Sequence, residues 1–170
     1  MRLSDGGLRL RELRPADIDT ALGWYQDPYV LRMSEGPAAQ PFDRRRVERM
    51  YEVLGSTGEL YMIEVPEGDV WRAIGDATLA RDTLPIVIGE SRYRGKGIGG
   101  RVLDLLIGRA RELGWSCLEV KHVYAYNEAS RRLFLSRCFV QMGTGVEGRD
   151  TAYGRYRLDL RAVPSGGTRR

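Results

Sequence analysis

The chain has 170 residues, and 27 Lys and Arg against 23 Asp and Glu give it a formal net charge of +4. A single His and two Cys, Cys117 and Cys138, in no metal-ligand spacing argue against a zinc site or a disulfide scaffold, and the length fits one domain able to bury a sizeable core. No run approaches the ~18 apolar residues of a membrane span, and the first ten residues hold no apolar stretch of signal-peptide length, so a cytoplasmic protein with no membrane partner is expected.

In chain order, Leu8, Leu10 and Leu13 alternate with Arg9 and Arg11 as a half-buried strand closed by Arg14-Pro15. Pro15 opens a helix whose Ile18, Ala21, Leu22 and Tyr25 repeat at helical spacing until Asp27-Pro28. From Tyr29 to Phe42 an irregular segment is expected, because Gly36, Pro37 and Pro41 interrupt any period. Asp43 then caps a second helix with Val47, Met50, Tyr51 and Leu54 on one stripe, ended by Gly55 and Gly58. Leu60 to Val65 and Val70 to Leu79 read as a hairpin around Pro66-Glu67-Gly68-Asp69, and Leu84 to Ile88 as a further β-rich run. Gly95 to Gly100 leads into a helix over Arg101 to Leu113. Leu118 to Tyr124 is a strand, Asn127 to Arg137 a short helix, and Phe139 to Met142 and Tyr153 to Leu160 closing strands. One domain over residues 1–163 is expected, with Pro164 to Arg170 a disordered tail.

The arginine excess invites a nucleic-acid reading, but the cations are interleaved with carboxylates along the chain. The one dense run, Arg44, Arg45 and Arg46 followed by Glu48 and Arg49, is read as a solvated helix face, and no nucleic-acid partner is expected.

Arg92 to Gly100 carries the most information. An [Arg/Gln]-x-x-Gly-x-[Gly/Ala] match arises by chance roughly 0.6 times in a chain of this composition, so its surroundings must decide its meaning. Gly95-x-Gly97-x-x-Gly100 also satisfies a dinucleotide-binding spacing, with Glu119 about 20 residues on. Against that reading, six residues separate the strand at Ile88 from Gly95, and the unit follows a hairpin. A P-loop fails because Lys96 is followed by Gly97. A ligand-free glycine turn is the plainest alternative. The remaining reading is a pyrophosphate cradle at a helix start, bordered by Arg94 and Lys96, where amides free of bulky side chains converge on phosphate oxygens.

With Arg94-Gly-Lys-Gly97-Ile-Gly99 ahead of an amphipathic helix, and Asn127-Glu-Ala129-Ser130-Arg-Arg-Leu133-Phe134 to Cys138-Phe139 further on, the sequence resembles the GNAT superfamily of acyl-CoA-dependent N-acetyltransferases. Leu8 to Leu13, Pro15-x-Asp17 and Trp24 to Val30 are similar to the branch containing ribosomal-protein N-terminal and antibiotic acetyltransferases. The resemblance implies an α/β (α+β) fold, a mixed, mostly antiparallel twisted sheet of about seven strands with helices on both faces. It implies acetyl-CoA as co-substrate, with no metal, entering a splay between the strands ending near Gly89 and Tyr124. Backbone groups of Ile86, Val87 and Ile88 would pair with the pantetheine arm. Arg92, Arg94, Gly95, Lys96, Gly97, Ile98, Gly99 and Gly100 would form the phosphate cradle, with Ser130 and Arg131 facing the phosphates, while Asn127 would bond the pantetheine or a nearby backbone group as well as cap its helix. Phe134 stands where many relatives carry a tyrosine acid, and Tyr124 or Tyr126, close by in sequence, could take that role.

For a general base the candidates are His122, the single histidine, Asp76, a carboxylate in an apolar strand, and Glu90, with Glu119 behind them. Cys138 is read as packing. The expected activity is acetyl transfer to a primary amine of a small molecule, such as an aminoglycoside-like antibiotic, or of a peptide N-terminus, by a monomer or homodimer. Asp27, Glu35, Asp76, Asp82 and Glu90 are candidate anionic contacts for the acceptor. A non-catalytic acyl-CoA-binding regulatory module is the alternative, kept open by Phe134, and a nucleotide-dependent oxidoreductase the third.

Overall fold

The computed structural model describes residues 2–161, so the expected tail at Pro164 to Arg170 lies outside the described residues. Eight strands form two antiparallel sheets. The first has the order β1-β2-β3-β4-β5, from β1 (Arg2–Ser4), β2 (Arg9–Glu12), β3 (Glu59–Glu67), β4 (Val70–Leu79) and β5 (Ile86–Ile88). The second has the order β6-β8-β7, from β6 (Cys117–Tyr124), β7 (Val140–Glu147) and β8 (Thr151–Asp159). The expected count of about seven is one short, because β1 folds back on β2 through a turn in which the Gly7 amide donates to Asp5 (3.1 Å).

Helices cover both faces of the first sheet. On one, α1 (Asp17–Trp24) and α3 (Arg44–Thr57) bury Ile18, Ala21, Trp24, Val47 and Tyr51 against Met62. On the other, α4 (Ile98–Glu112) buries Val102, Leu103, Leu106, Ile107 and Ala110 against Leu8, Leu10, Ile63 and Ile74. Each apolar stripe follows from the 3.6-residue helical period. Asp43 caps α3 by accepting from the Arg46 amide (2.8 Å). The arginine run behind it is exposed, with Arg44 paired to Glu48 at 3.0 Å.

Tyr29 to Phe42 departs from expectation, because α2 spans Pro28–Glu35. Asp27-Pro28, read as a stop, is also a start: the Asp27 side chain accepts from the Tyr29 amide (2.8 Å), and Pro28 occupies the first turn, where a missing N–H costs nothing. Cys138 also departs from expectation. It is exposed and not packed, and it is the one non-glycine residue with positive φ (64°) among the described residues, in the turn after α5 (Glu128–Leu135).

β5 and β6 belong to different sheets. A backbone bond from the Glu119 amide to the Arg81 carbonyl (3.1 Å) ties the start of β6 to the loop before β5, and no ladder joins β5 to β6 toward Ile88 and Tyr124, where the expected splay lies.

Candidate active site

β5 is bonded to β4 on one side only, through Ile86, Val87 and Ile88, so its other edge faces the splay with main-chain groups that β4 does not use, of which the Ile88 carbonyl accepts from Arg94 Nε (2.9 Å). Ile86 and Ile88 pack on the α4 side and Val87 on the opposite side, as strand alternation requires.

The glycine segment follows a 3₁₀ turn at Ser91–Tyr93. Gly95 (φ 69°) and Gly97 (φ 76°) are left-handed, and a Cβ on either would project into open space. Gly97 is the N-cap of α4 and brings no capping side chain, which leaves the Ile98 and Gly99 amides without a helical acceptor, while the Gly100 amide already donates to the Gly97 carbonyl (3.1 Å). Gly100 packs closely against Arg137, which is itself bonded to Asp104. This arrangement fits a coenzyme pyrophosphate: open space beside left-handed glycines, orphan amides and the positive end of a 15-residue helix.

The flanking cations divide. Lys96 is exposed and lies over the Tyr93 ring at 5.7 Å. Arg92 pairs with Glu67 (2.7 Å), and Arg131 with Glu128 (2.7 Å). The Arg94 side chain turns back to the carbonyls of Ile88 and Gly89 and to Asp27.

Asn127 caps α5 by accepting from the Ser130 amide (3.1 Å), while its amide nitrogen donates to the Met33 carbonyl (3.1 Å). Phe134 is buried, with its ring centroid 5.2 Å from Phe139 and 6.4 Å from Tyr156. Tyr126 Oη donates to the Arg32 carbonyl (2.5 Å), and the ring stacks on Tyr124 at 5.1 Å.

Opposite α4, the structure separates the base candidates. Asp76 is 1 % exposed and accepts from Tyr25 (3.0 Å) and Tyr51 (2.9 Å). Burial pushes its carboxyl up to about 7, against the two phenol bonds, which act to lower it. Glu90 accepts from the Trp24 indole (3.2 Å) just past β5. His122 owes its place to a bulge: the β6–β8 register shifts between Val120 and Val123, so His122 leaves the core face that Leu118 and Val120 occupy. Its ring stacks on Tyr153 (4.0 Å) and meets Tyr124 edge-on (4.6 Å), with Nε2 3.9 Å from Glu147. Tyr124 Oη donates to the same Glu147 oxygen (2.9 Å). Burial, and then that bond, push the Tyr124 phenol up.

The sequence reading did not single out Glu147 or Tyr153, since nothing local marks them. Glu35, at the end of α2, was named only as an acceptor contact. Its surroundings desolvate the carboxyl and raise its pKa, against the pull of Arg46, and its charge acts on Asp76 and on Tyr124 across the splay. Glu119 pairs with Arg157 (3.0 Å) and Asp82 with Lys121 (2.6 Å), both exposed. A shallow concavity of about 520 Å³ lined by Gly58, Arg81 and Trp115 adjoins the joined end of the strands and shares no residue with this site. Among the described residues no group of three or more His, Cys, Asp or Glu is placed to hold a metal ion, and no helix is long and apolar enough to cross a membrane.

Two antiparallel sheets that part at a splay, with a glycine-capped helix at its opening, agree with the fold that the sequence resemblance implies. The acetyltransferase (GNAT) domain family matches residues 7–137, and the chain belongs to that family. Among solved structures it is similar to a GNAT-family acetyltransferase from Bacillus anthracis (TM-score 0.79, 12 % identity, covering 95 % of this chain and 100 % of that one). It is also similar to the spermidine N-acetyltransferase of Vibrio cholerae in complex with CoA and spermine (0.75, 17 %, 92 % and 97 %). A third similar structure is the Salmonella typhimurium acetyl transferase that modifies the N-terminal serine of 50S ribosomal subunit protein L7/L12 (0.73, 13 %, 94 % and 99 %). At these identities the likeness concerns the fold. No curated protein matches the sequence significantly.

Proposed function

We propose that the protein is a cytoplasmic N-acetyltransferase that moves an acetyl group from acetyl-CoA to a primary amine, of a small polar molecule such as an aminoglycoside-like antibiotic or of a peptide N-terminus. The observation that carries this reading is the splay itself: a free β5 edge leading to the Gly95–Gly97 cradle on one side, and a wall of His122, Tyr124 and Tyr153 with Glu147 on the other. Acetyl-CoA, when bound, supplies the acetyl group already activated as a thioester.

The chain's own groups bind and orient. The orphan amides at Ile98 and Gly99, with Lys96 beside them, hold the phosphates, and the main chain of Ile86 to Ile88 aligns the pantetheine. Glu147 and Glu35, neither within ion-pair distance of a Lys or Arg among the described residues, attract a cationic acceptor to the aromatic wall. His122 takes the proton from the acceptor ammonium, and Glu147 faces the imidazolium that results. Asp76, sealed beneath Tyr25 and Tyr51, serves the framework and not proton transfer. Phe134 donates no proton, a small loss because a thiol pKa of about 8.5 makes the thiolate a tolerable leaving group.

The test has two stages. Coenzyme A is expected to raise the melting temperature and NAD(H) to leave it unchanged; the reverse pattern overturns the reading. Free-thiol release is then followed with spermidine, kanamycin and a peptide carrying N-terminal serine. Binding of acetyl-CoA without turnover on such amines would instead favour the regulatory module, the reading that Phe134 keeps open.

A further inference from the structure

Arg94 opens the Arg-x-x-Gly-x-Gly segment, where a guanidinium directed at phosphate is expected, yet its side chain points the other way. Nε donates to the Ile88 carbonyl (2.9 Å), and Nη2 to the Gly89 carbonyl (2.6 Å) and to Asp27 Oδ2 (2.8 Å). The guanidinium also lies over the Tyr29 ring, 4.6 Å from its centroid. Asp27 divides its two oxygens, since Oδ1 caps α2 through the Tyr29 amide (2.8 Å). Partial burial of Asp27 acts to raise its carboxyl, but Arg94 and that amide hold it below the usual range. A single side chain therefore joins the end of a three-residue strand to the first turn of an eight-residue helix.

The far end of α2 reaches the other arm of the splay. The carbonyls of Arg32 and Met33 accept from Tyr126 and Asn127, and Gly36 lies so close to Tyr124 that a Cβ would stand 2.7 Å from its hydroxyl. α2 thus spans the opening from β5 to β6.

The geometry points to Arg94 as a positioning residue that ties the end of β5 to α2 and, through α2, sets the acceptor wall of Tyr124 and Tyr126 against that strand end. Its consequence for turnover rests on the acetyltransferase reading above; its mechanical part does not. The residue type follows from the contacts. A planar guanidinium can serve two carbonyls and a carboxylate while stacking on a ring, and a lysine ammonium cannot hold that set in one geometry.

Two variants isolate the tie. Asp27→Asn keeps a good helix cap and removes the charge that Arg94 grips, whereas Arg94→Lys keeps a cation beside the cradle and removes the fork. Three readouts are compared with the unaltered protein: amide exchange of segment 28–36, coenzyme A affinity by calorimetry, and KM and kcat for whichever amine of the panel turns over fastest. Each variant is expected to speed exchange in 28–36 by about tenfold, the equivalent of one charge-assisted bond, and to raise amine KM about three- to tenfold. Coenzyme A affinity stays within about twofold, and the double variant is no worse than Arg94→Lys alone.

A coenzyme A dissociation constant raised tenfold or more by Arg94→Lys, with Asp27→Asn behaving as the unaltered protein, would assign Arg94 to the phosphates and overturn the proposal. So would faster exchange spread over the whole chain with amine KM unchanged, the mark of a purely structural role. If the unaltered protein binds coenzyme A but turns over no amine, the acetyltransferase reading fails, and exchange and affinity still decide whether Arg94 ties β5 to α2.

Discussion

The two sides of the splay are made of different material. Toward α4 the site is main chain: the β5 edge that β4 leaves unpaired and the orphan amides behind Gly97, framed by apolar side chains such as Phe134. Toward α1, α2 and α3 it is side chain: Asp76 of β4 under two tyrosines, and His122, Tyr124 and Tyr153 around Glu147, drawn from three strands of the second sheet. A main-chain site tolerates any side chain that does not block it, so it suits a coenzyme whose shape is fixed. A side-chain site can change its chemistry residue by residue, and on the proposed reading that is where acceptor choice is made.

Substitutions can break this contrast, and the largest expected effect is at Asp76. Its carboxyl is raised from an ordinary 3.8 to about 7, so between those values the native state keeps a proton that the unfolded chain has shed. Stability is then highest below about pH 4 as far as this group is concerned, and falls by on the order of 4 kcal/mol as pH rises through 7. Asp76→Asn is expected to remove that contribution to the slope, read from urea melts at pH 5 and pH 8. On the main-chain side, Gly97→Val places a branched side chain at φ 76°, with an expected cost of about 2 kcal/mol and coenzyme A binding weakened at least tenfold. Glu147→Gln sharpens the other half of the contrast. Amine KM should rise about threefold, a change of roughly 0.7 kcal/mol, with calorimetric affinity for coenzyme A unaltered. The smallest effect is at Cys138, where glycine relieves a left-handed conformation but adds freedom to the unfolded chain, for a net stabilisation of about 0.5 kcal/mol in thermal melts.

Much of the frame was legible because it rests on local rules. The strand Val70–Leu79, the Asp43 and Asn127 caps and the helix behind the glycine segment each follow from residues adjacent in sequence. α2 was missed because Pro28 serves equally as terminator and first-turn residue, and only the Asp27 cap decides between them. The direction of Arg94 was illegible for a different reason: its acceptor Asp27 lies 67 residues away. Glu147 and Tyr124 are 23 residues apart and meet only across the second sheet.

By itself the sequence determined the family, the glycine segment with left-handed turns at its heart, and the strand and helix that flank it, since backbone conformation is dictated by the residue that adopts it and its near neighbours. Only the tertiary structure decided which way His122 and Arg94 face. Leu118, Val120, His122 and Tyr124 alternate as one strand face would, and a bulge opposite β8 moves His122 off the core side. A guanidinium at the lip of the glycine segment turns instead to the carboxylate and carbonyls that folding brings within its reach.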